Sequence, residues 1–310
     1  MTFEPKRIAV IGATGPTGVL LVRELASRGR KVVAVSRRRE VLEKLFGGEG
    51  VEVAAADALD AESIGRAVEG CDLVIDCIGL PPDRMADHPK TAHVISQAAR
   101  TAGARCLQIS SYWSFFPHQG EVVNEAHPRR GGHEWFRLRR EAEDVMLAAG
   151  AAVVHLPDFF GPHVHTSTVQ MALEQAVAGK PVSWLGRSDT PREATYLPDA
   201  MRIVADLAER DEAYGTDWGL PGSGLLTADR LAEIASEHLG RPVTVRAAPG
   251  WLLKILSLVH PALREVRPVI PHYVRAVRYD TSKVRGLLGE VKTTPFEEAI
   301  PATLDWIAKR

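Results

Sequence analysis

Three glycines spaced three apart, Gly12, Gly15 and Gly18, follow an apolar run at 8–11. Glycines in that pattern turn the chain tightly, let backbone N–H groups approach an anion, and allow a helix to start over the end of a strand. The chemistry is the cradling of a pyrophosphate. Gly12 makes the turn, Gly15 admits the phosphate and Gly18 packs helix on strand; Thr14, Pro16 and Thr17 complete the loop, and the amides of 17–20 point at the anion. A second set of donors, Ser36, Arg37 and Arg38, stands where the next apolar run ends. That place faces the adenosine ribose of a dinucleotide. An acid there takes the 2′-hydroxyl of NAD, whereas serine and arginine suit the 2′-phosphate of NADP. NADP(H) is therefore the expected cofactor, with NAD(H) as the alternative. A third set, Ser110, Ser111 and Tyr112, closes another strand-like run and could meet a substrate oxygen.

Each set needs a strand in front of it. Runs at 8–11, 31–36, 51–56, 73–79, 106–111 and 153–157 read as strands. Helices are expected over 19–26, stopping at Gly29, from an Asp60 N-cap through Val68, and over 91–102 and 135–149. Alternation with short links predicts an α/β protein: a Rossmann-type doubly wound parallel sheet with ligands at the carboxyl ends of its strands. On that plan Cys77, Ile78 and Gly79 flank the nicotinamide ribose. Further helices at 168–178, 198–209, 227–239 and 251–259 predict a smaller C-terminal substrate lobe. The expected division is 1–160 for the dinucleotide domain and mainly lobe over 161–310, the two packed as one unit.

The Gly-Ala-Thr-Gly wording of 12–15, in G-x-x-G-x-x-G spacing, resembles the short-chain dehydrogenase/reductase superfamily in its extended and atypical branches, epimerase/dehydratase-like or NmrA-like. Two more segments are similar to extended members. One, at 156–162, keeps Gly161-Pro162 but has Leu156 in place of an arginine and Phe160 in place of a tyrosine. The other, at 196–200, carries Asp199, most simply a carboxylate at a helix N-terminus. The resemblance implies that Asp57 and Ala58 lie beside the adenine, and that catalysis uses a Tyr, a Lys four residues on, and a Ser. Glu143 and Gly150 fit the frame that follows that Lys. Arg139 then stands at the Lys position and Trp135 at the Tyr position. Tryptophan only donates an N–H and arginine stays protonated, so the proton-passing pair is missing. Arg139 remains able to hold ribose hydroxyls or offset charge. The orienting hydroxyl falls to Ser111 or Tyr112, and Tyr112 is either a substitute proton donor or an aromatic wall beside Trp113. Loop histidines His118, His127, His133, His163 and His165 are further acid–base candidates.

A chain of 310 residues can bury a sizeable core. A net charge of −1 with mixed signs offers no footprint for nucleic acid or a membrane surface, which leaves a small-molecule substrate. The segment before Ile8 lacks a signal-peptide core, and Cys71, Cys77 and Cys106 share no metal-ligand spacing, so a cytoplasmic protein with no metal is expected. Superfamily members dimerise through helices equivalent to 91–102 and 135–149, which implies a possible homodimer. The leading function is NADP(H)-dependent hydride transfer to or from a small carbonyl, alcohol or activated double bond, with Tyr112 and Ser111 at the developing oxyanion and Arg139 at the ribose. A sugar epimerase/dehydratase and a non-catalytic NmrA-like dinucleotide sensor are the alternatives. The first needs a tyrosinate base; loss of the Tyr-Lys pair is what the second predicts.

Overall fold

A computed structural model describes residues 2–259, 264 and 267–310. Strand β1 (Arg7–Ile11) is buried along its apolar run because it crosses the middle of a sheet covered on both faces. Helix α1 (Pro16–Ser27) follows, then β2 (Lys31–Ser36), α2 (Arg39–Phe46), β3 (Glu52–Ala55), α3 (Ala61–Ala67), β4 (Leu73–Asp76), α4 (His88–Thr101) and β5 (Arg105–Ser111). The short strand β6 (Val122–Val123) precedes α5 (Glu134–Ala148) and β7 (Ala152–Leu156). Capping explains two of the boundaries: Asp60 accepts the Glu62 N–H at 3.0 Å, and Gly29 turns the chain after α1 at φ +76°.

Beyond β8 (Asp158–Phe160) come α6 (Thr168–Val177), β9 (Val182–Leu185), β10 (Arg192–Tyr196), α7 (Leu197–Ala208), β11 (Asp217–Gly219), β12 (Gly224–Leu226), α8 (Ala228–Leu239), β13 (Val245–Ala248) and α9 (Gly250–Val259). The large sheet has seven strands in the order β11-β7-β5-β4-β1-β2-β3, parallel throughout. The chain winds outward from β1 to β3, then crosses back to lay β4 and its successors on the other side. The crevice between the carboxyl ends of β1 and β4 is therefore the topological switch point. The doubly wound parallel plan expected from the sequence is borne out.

Leu21, Val22 and Leu25 of α1 and Ile203, Val204 and Leu207 of α7 cover one face. Ile64, Ile95, Ala99 and Met146 cover the other. Burial of each such aliphatic side chain contributes about 1.5–3 kcal/mol. Along β5 this splits the residues: Leu107 and Ile109 face α1 and α7, while Cys106 contacts Met146 of α5 at 3.8 Å. The even-numbered side chains of β5 thus meet α5.

A second body of structure is formed by β8, β10 and β12, by the β9–β13 pair, and by α6, α8 and the helix Phe296–Ala308 around Phe160, Leu173, Trp184, Leu231 and Ile300. The division at 160 is crossed twice, since α7 packs on α1 and β11 extends the large sheet beyond β7. No helix among the described residues is long and apolar enough to cross a membrane.

Candidate active site

At the end of β1, Gly12 takes φ +83° and donates to Val35 O at 2.9 Å, while Cys77 N–H donates to Ile11 O at 2.8 Å. The loops after β1 and β4 therefore leave the sheet side by side. A Cβ on Gly12 would stand 3.0 Å from the Cys77 carbonyl, and one on Gly18 only 2.6 Å from Ala13 Cα. Both positions are closed to a side chain. Gly15 begins α1 with no side-chain cap and no acid in the first turn, but Val19 N–H donates back to Gly15 O at 2.8 Å, so of the amides at 17–20 expected to meet an anion only the first, at Thr17 and Gly18, are left for it. Thr14, Gly15, Pro16 and Thr17 are partly exposed at this mouth, and Thr14 Oγ1 lies 3.2 Å from Ser36 Oγ.

Arg37 and Arg38 are exposed beyond Ser36 and no acid engages them among the described residues, whereas Arg39 pairs with Glu43 at 2.8 Å. Asp57 is exposed after β3 and accepts the Leu59 N–H at 3.0 Å, with Ala58 partly buried behind it. At the end of β4 Ile78 is half-buried and Gly79 is exposed. Cys77 is buried, and burial pushes its thiol well up, so it stays protonated. A backbone cradle with free amides and unpaired arginines beside it fits a dinucleotide phosphate chain.

On the α5 side, Ser110 donates to Glu143, and Arg139 Nη1 donates to Ser110 Oγ at 3.5 Å. Glu143 is buried and also takes Arg129 at 2.6 Å. At the end of β4, buried Asp76 accepts the Ile78 N–H at 2.9 Å and the Gln108 amide at 3.2 Å. Burial pushes the Asp76 carboxyl up to about 6, opposed by those two hydrogen bonds and by the Arg139 charge. Burial lowers Arg139 from its ordinary value while Glu143 and Asp76 act to raise it, and its Nε keeps no partner. Its neighbour His88 is pushed down to about 3 by burial and then by that guanidinium, so it is neutral. Ser111 is half-buried and accepts the Trp113 N–H at 3.3 Å. Trp135, one turn before Arg139, lies parallel to Trp113 with ring centroids 6.4 Å apart.

Tyr112 is not brought into this group. Its ring stacks on Tyr279 among Phe115, Val123 and Val277, and its unpartnered hydroxyl lies against Gly219 at the end of β11. Burial first, then Tyr279 and nearby carboxylates, push the phenol well above its ordinary value. The short turn over Tyr112–Phe115 follows the strand end at once and carries the ring into this cluster.

Three of the loop histidines have other partners. His133 caps α5, accepting the Trp135 N–H at 3.3 Å, His127 accepts the Gln119 N–H at 3.0 Å, and His163 meets Arg23 at 3.0 Å. His165 is exposed, and His118 is buried with neither nitrogen bonded.

Two residues of the site escaped the sequence reading. Asp76 had a signal, a lone acid inside an apolar strand. Arg192 of β10 had none: it is 9% exposed, none of its three guanidinium nitrogens has a partner, and it lies 3.9 Å over the Trp184 ring and 5.3 Å from that of Tyr273. Burial lowers Arg192 from its ordinary value, opposed by Asp158.

Residues 12–154 match the family model described as NAD(P)H-binding. Sterol demethylase protein B of Methylococcus capsulatus is 26% identical over 97% of this chain and 98% of its own. Ceramide reductase of Caulobacter vibrioides is 31% identical over 56% of this chain and 52% of its own. UDP-glucuronic acid 4-epimerase from Bacillus cereus, solved in complex with NAD, shares the fold with a TM-score of 0.80 over 98% of this chain and 99% of that one, at 15% identity. Residues 12–154 thus form an NAD(P)H-binding domain with its glycine loop at the switch point of the sheet, and the chain as a whole shares the fold of NAD-bound epimerase structures.

Proposed function

We propose that the protein is an NADP(H)-dependent oxidoreductase that moves a hydride to or from a carbonyl or alcohol carbon of an amphipathic substrate. The observation that carries this reading is Arg139, a cation held beside Ser110 at the carboxyl end of the sheet, with a buried donor to spare. The dinucleotide supplies or accepts the hydride. The glycine loop holds its pyrophosphate, Arg37 and Arg38 take the 2′-phosphate, Asp57 and Ala58 flank the adenine, and Ile78 and Gly79 lie along the ribose. Arg139 donates Nε to the ribose hydroxyls, and its charge steadies the oxygen that becomes negative as a carbonyl is reduced. Ser111 donates its hydroxyl to the same oxygen. Neither Trp135 nor Arg139 releases a proton near neutral pH, and Tyr112 is sealed in its cluster, so the oxygen is protonated by water at the half-exposed Ser111.

The substrate's apolar body lies against Trp113, Trp135 and Tyr273, which pack together. An oxygen-rich group satisfies Arg192, whose unpaired burial is otherwise costly. The names of the two curated relatives, one a sterol demethylase protein and the other a ceramide reductase, support an apolar substrate. Trp135 favours a second reading, a dinucleotide sensor without turnover. One experiment separates them: calorimetric titration with NADPH and NADH, then NADPH oxidation with small aldehydes, enones, a ketosteroid and a long-chain ketone. The expected result is tighter NADPH binding and turnover of an apolar ketone. Tight binding without turnover of any compound selects the sensor, and equal affinities remove the NADP preference.

A further inference from the structure

Helix α9 turns large apolar residues toward solvent. Trp251, Ile255 and Leu258 are 66%, 54% and 56% exposed, while Leu253 and Ser257 are buried beneath them. The three exposed residues are four and three apart and share one helix face. The other large apolar side chains exposed among the described residues, Leu59, Val122, Met171 and Leu225, are scattered through the sequence. Scattered apolar residues are ordinary, whereas a contiguous patch marks a contact. The charge around α9 is equally uneven. The stretch 241–279 holds seven Lys or Arg and a single acid, Glu265, in a chain with 38 basic and 39 acidic residues. Arg246, Lys254, Arg264, Arg267 and Arg275 are all exposed, and no acid pairs with any of them among the described residues. Arg264 donates to Leu258 O at 2.7 Å, which sets one of these cations at the carboxyl end of the helix.

We propose that α9 docks the protein on an anionic lipid bilayer, lying in the plane of the interface with Trp251, Ile255 and Leu258 among the upper acyl chains and the neighbouring cations on the headgroups. Ten residues of helix cannot span the hydrocarbon core, which takes about 20. An apolar face carrying a tryptophan and bordered by lysine and arginine suits the membrane boundary. The charge selects this occupant: the cations need an acidic surface, and a bilayer rich in anionic lipid supplies both that and an apolar layer beneath it. Docking also leads to the cleft. Helix α9 packs on the short helix Ile270–Tyr273, whose His272 stacks on Phe116 at 4.0 Å and whose Tyr273 adjoins Arg192. Only this link to an apolar substrate rests on the proposed reaction; the docking itself does not.

The test is sedimentation of the whole protein with vesicles of phosphatidylglycerol and phosphatidylcholine in equal parts, and with phosphatidylcholine vesicles alone, at low and high salt. No substrate or turnover enters this measurement, so its failure and that of the proposed reaction are separable. The expected result is binding to the mixed vesicles, about tenfold weaker to the neutral ones and weaker at high salt. Trp251→Ser with Leu258→Ser, and separately Arg264→Gln with Arg267→Gln, each lower binding about tenfold, with unchanged circular dichroism and NADPH affinity. Both arginines are exposed, so this pair keeps the test valid even where the apolar variant folds poorly. No sedimentation with the mixed vesicles, or equal binding to both kinds, overturns the proposal. A dimer in vesicle-free solution that Trp251→Ser dissociates also overturns it and gives the face to a second copy of the chain.

Discussion

Around the glycine loop the close approaches are backbone to backbone: Gly12 against the Cys77 carbonyl, Gly18 against Ala13, Gly12 N–H on Val35 O. On the far side of β5 the close approaches belong to charged side chains, and several are incomplete, with Arg139 Nε and all three nitrogens of Arg192 buried without partners. The glycine turn is thus held by its own main chain, and the open end of α1 beside it is left for an anion. The far side of β5 carries desolvated donors without partners, and desolvation of an unpaired donor costs free energy. Binding of cofactor should therefore fail hardest where a change crowds the backbone, and the substrate side where a charged side chain is lost.

Gly18→Val attacks the cradle where a Cβ meets Ala13, and the expected loss of NADPH affinity, read by calorimetry, is about a thousandfold; near-normal binding would dissolve the contrast. Arg139→Ala attacks the other side, lowering kcat/KM about a hundredfold with a much smaller change in cofactor affinity, and Arg139→Lys recovers most of the rate. Arg37→Ala with Arg38→Ala should weaken NADPH about tenfold and leave NADH unchanged in the same titration, since the proposed reading gives these side chains only the phosphate that distinguishes the two. Arg192→Met should raise KM about fivefold, hold kcat, and keep or raise the melting temperature, because an unpaired buried cation is exchanged for an apolar chain of similar length.

The smallest effect concerns pH. The Asp76 carboxyl is raised to about 6 in the folded protein from an ordinary value of 3.8. The folded state then holds that proton more tightly than the unfolded chain, so this group's contribution to stability falls as pH rises from about 4 to about 6. Asp76→Asn removes the fall: relative to the parent, the variant should gain on the order of 1 kcal/mol between pH 4.5 and pH 7 in urea unfolding. A parallel pair of pH profiles would return Asp76 to the ordinary carboxylates.

Much of this was legible in the residues. Strands and helices fall within a few residues of the apolar periods that announce them, because burial on one or both faces is a local pattern. Trp135, Arg139 and Glu143 lie on one helix, so their mutual placement follows from spacing alone. Tyr112 was not legible in the same way. Its neighbours Gly219 and Tyr279 come from strands more than a hundred residues later, and they decide that its hydroxyl is enclosed. The even charge of the whole chain likewise concealed the basic stretch around α9, whose exposed face appears only once the inner residues of the helix are seen to be covered.

By itself, the sequence determined the parallel doubly wound sheet, the phosphate cradle, the basic end of β2 and the replacement of the Tyr-Lys pair, since each depends on residue types a few positions apart. Only the tertiary structure decided which charges are paired. Asp76 and Gln108 meet across neighbouring strands, Arg139 reaches Ser110 from α5, and Arg192 is stranded between Trp184 and Tyr273. Desolvation depends on everything that surrounds a group, and those surroundings are assembled from distant parts of the chain.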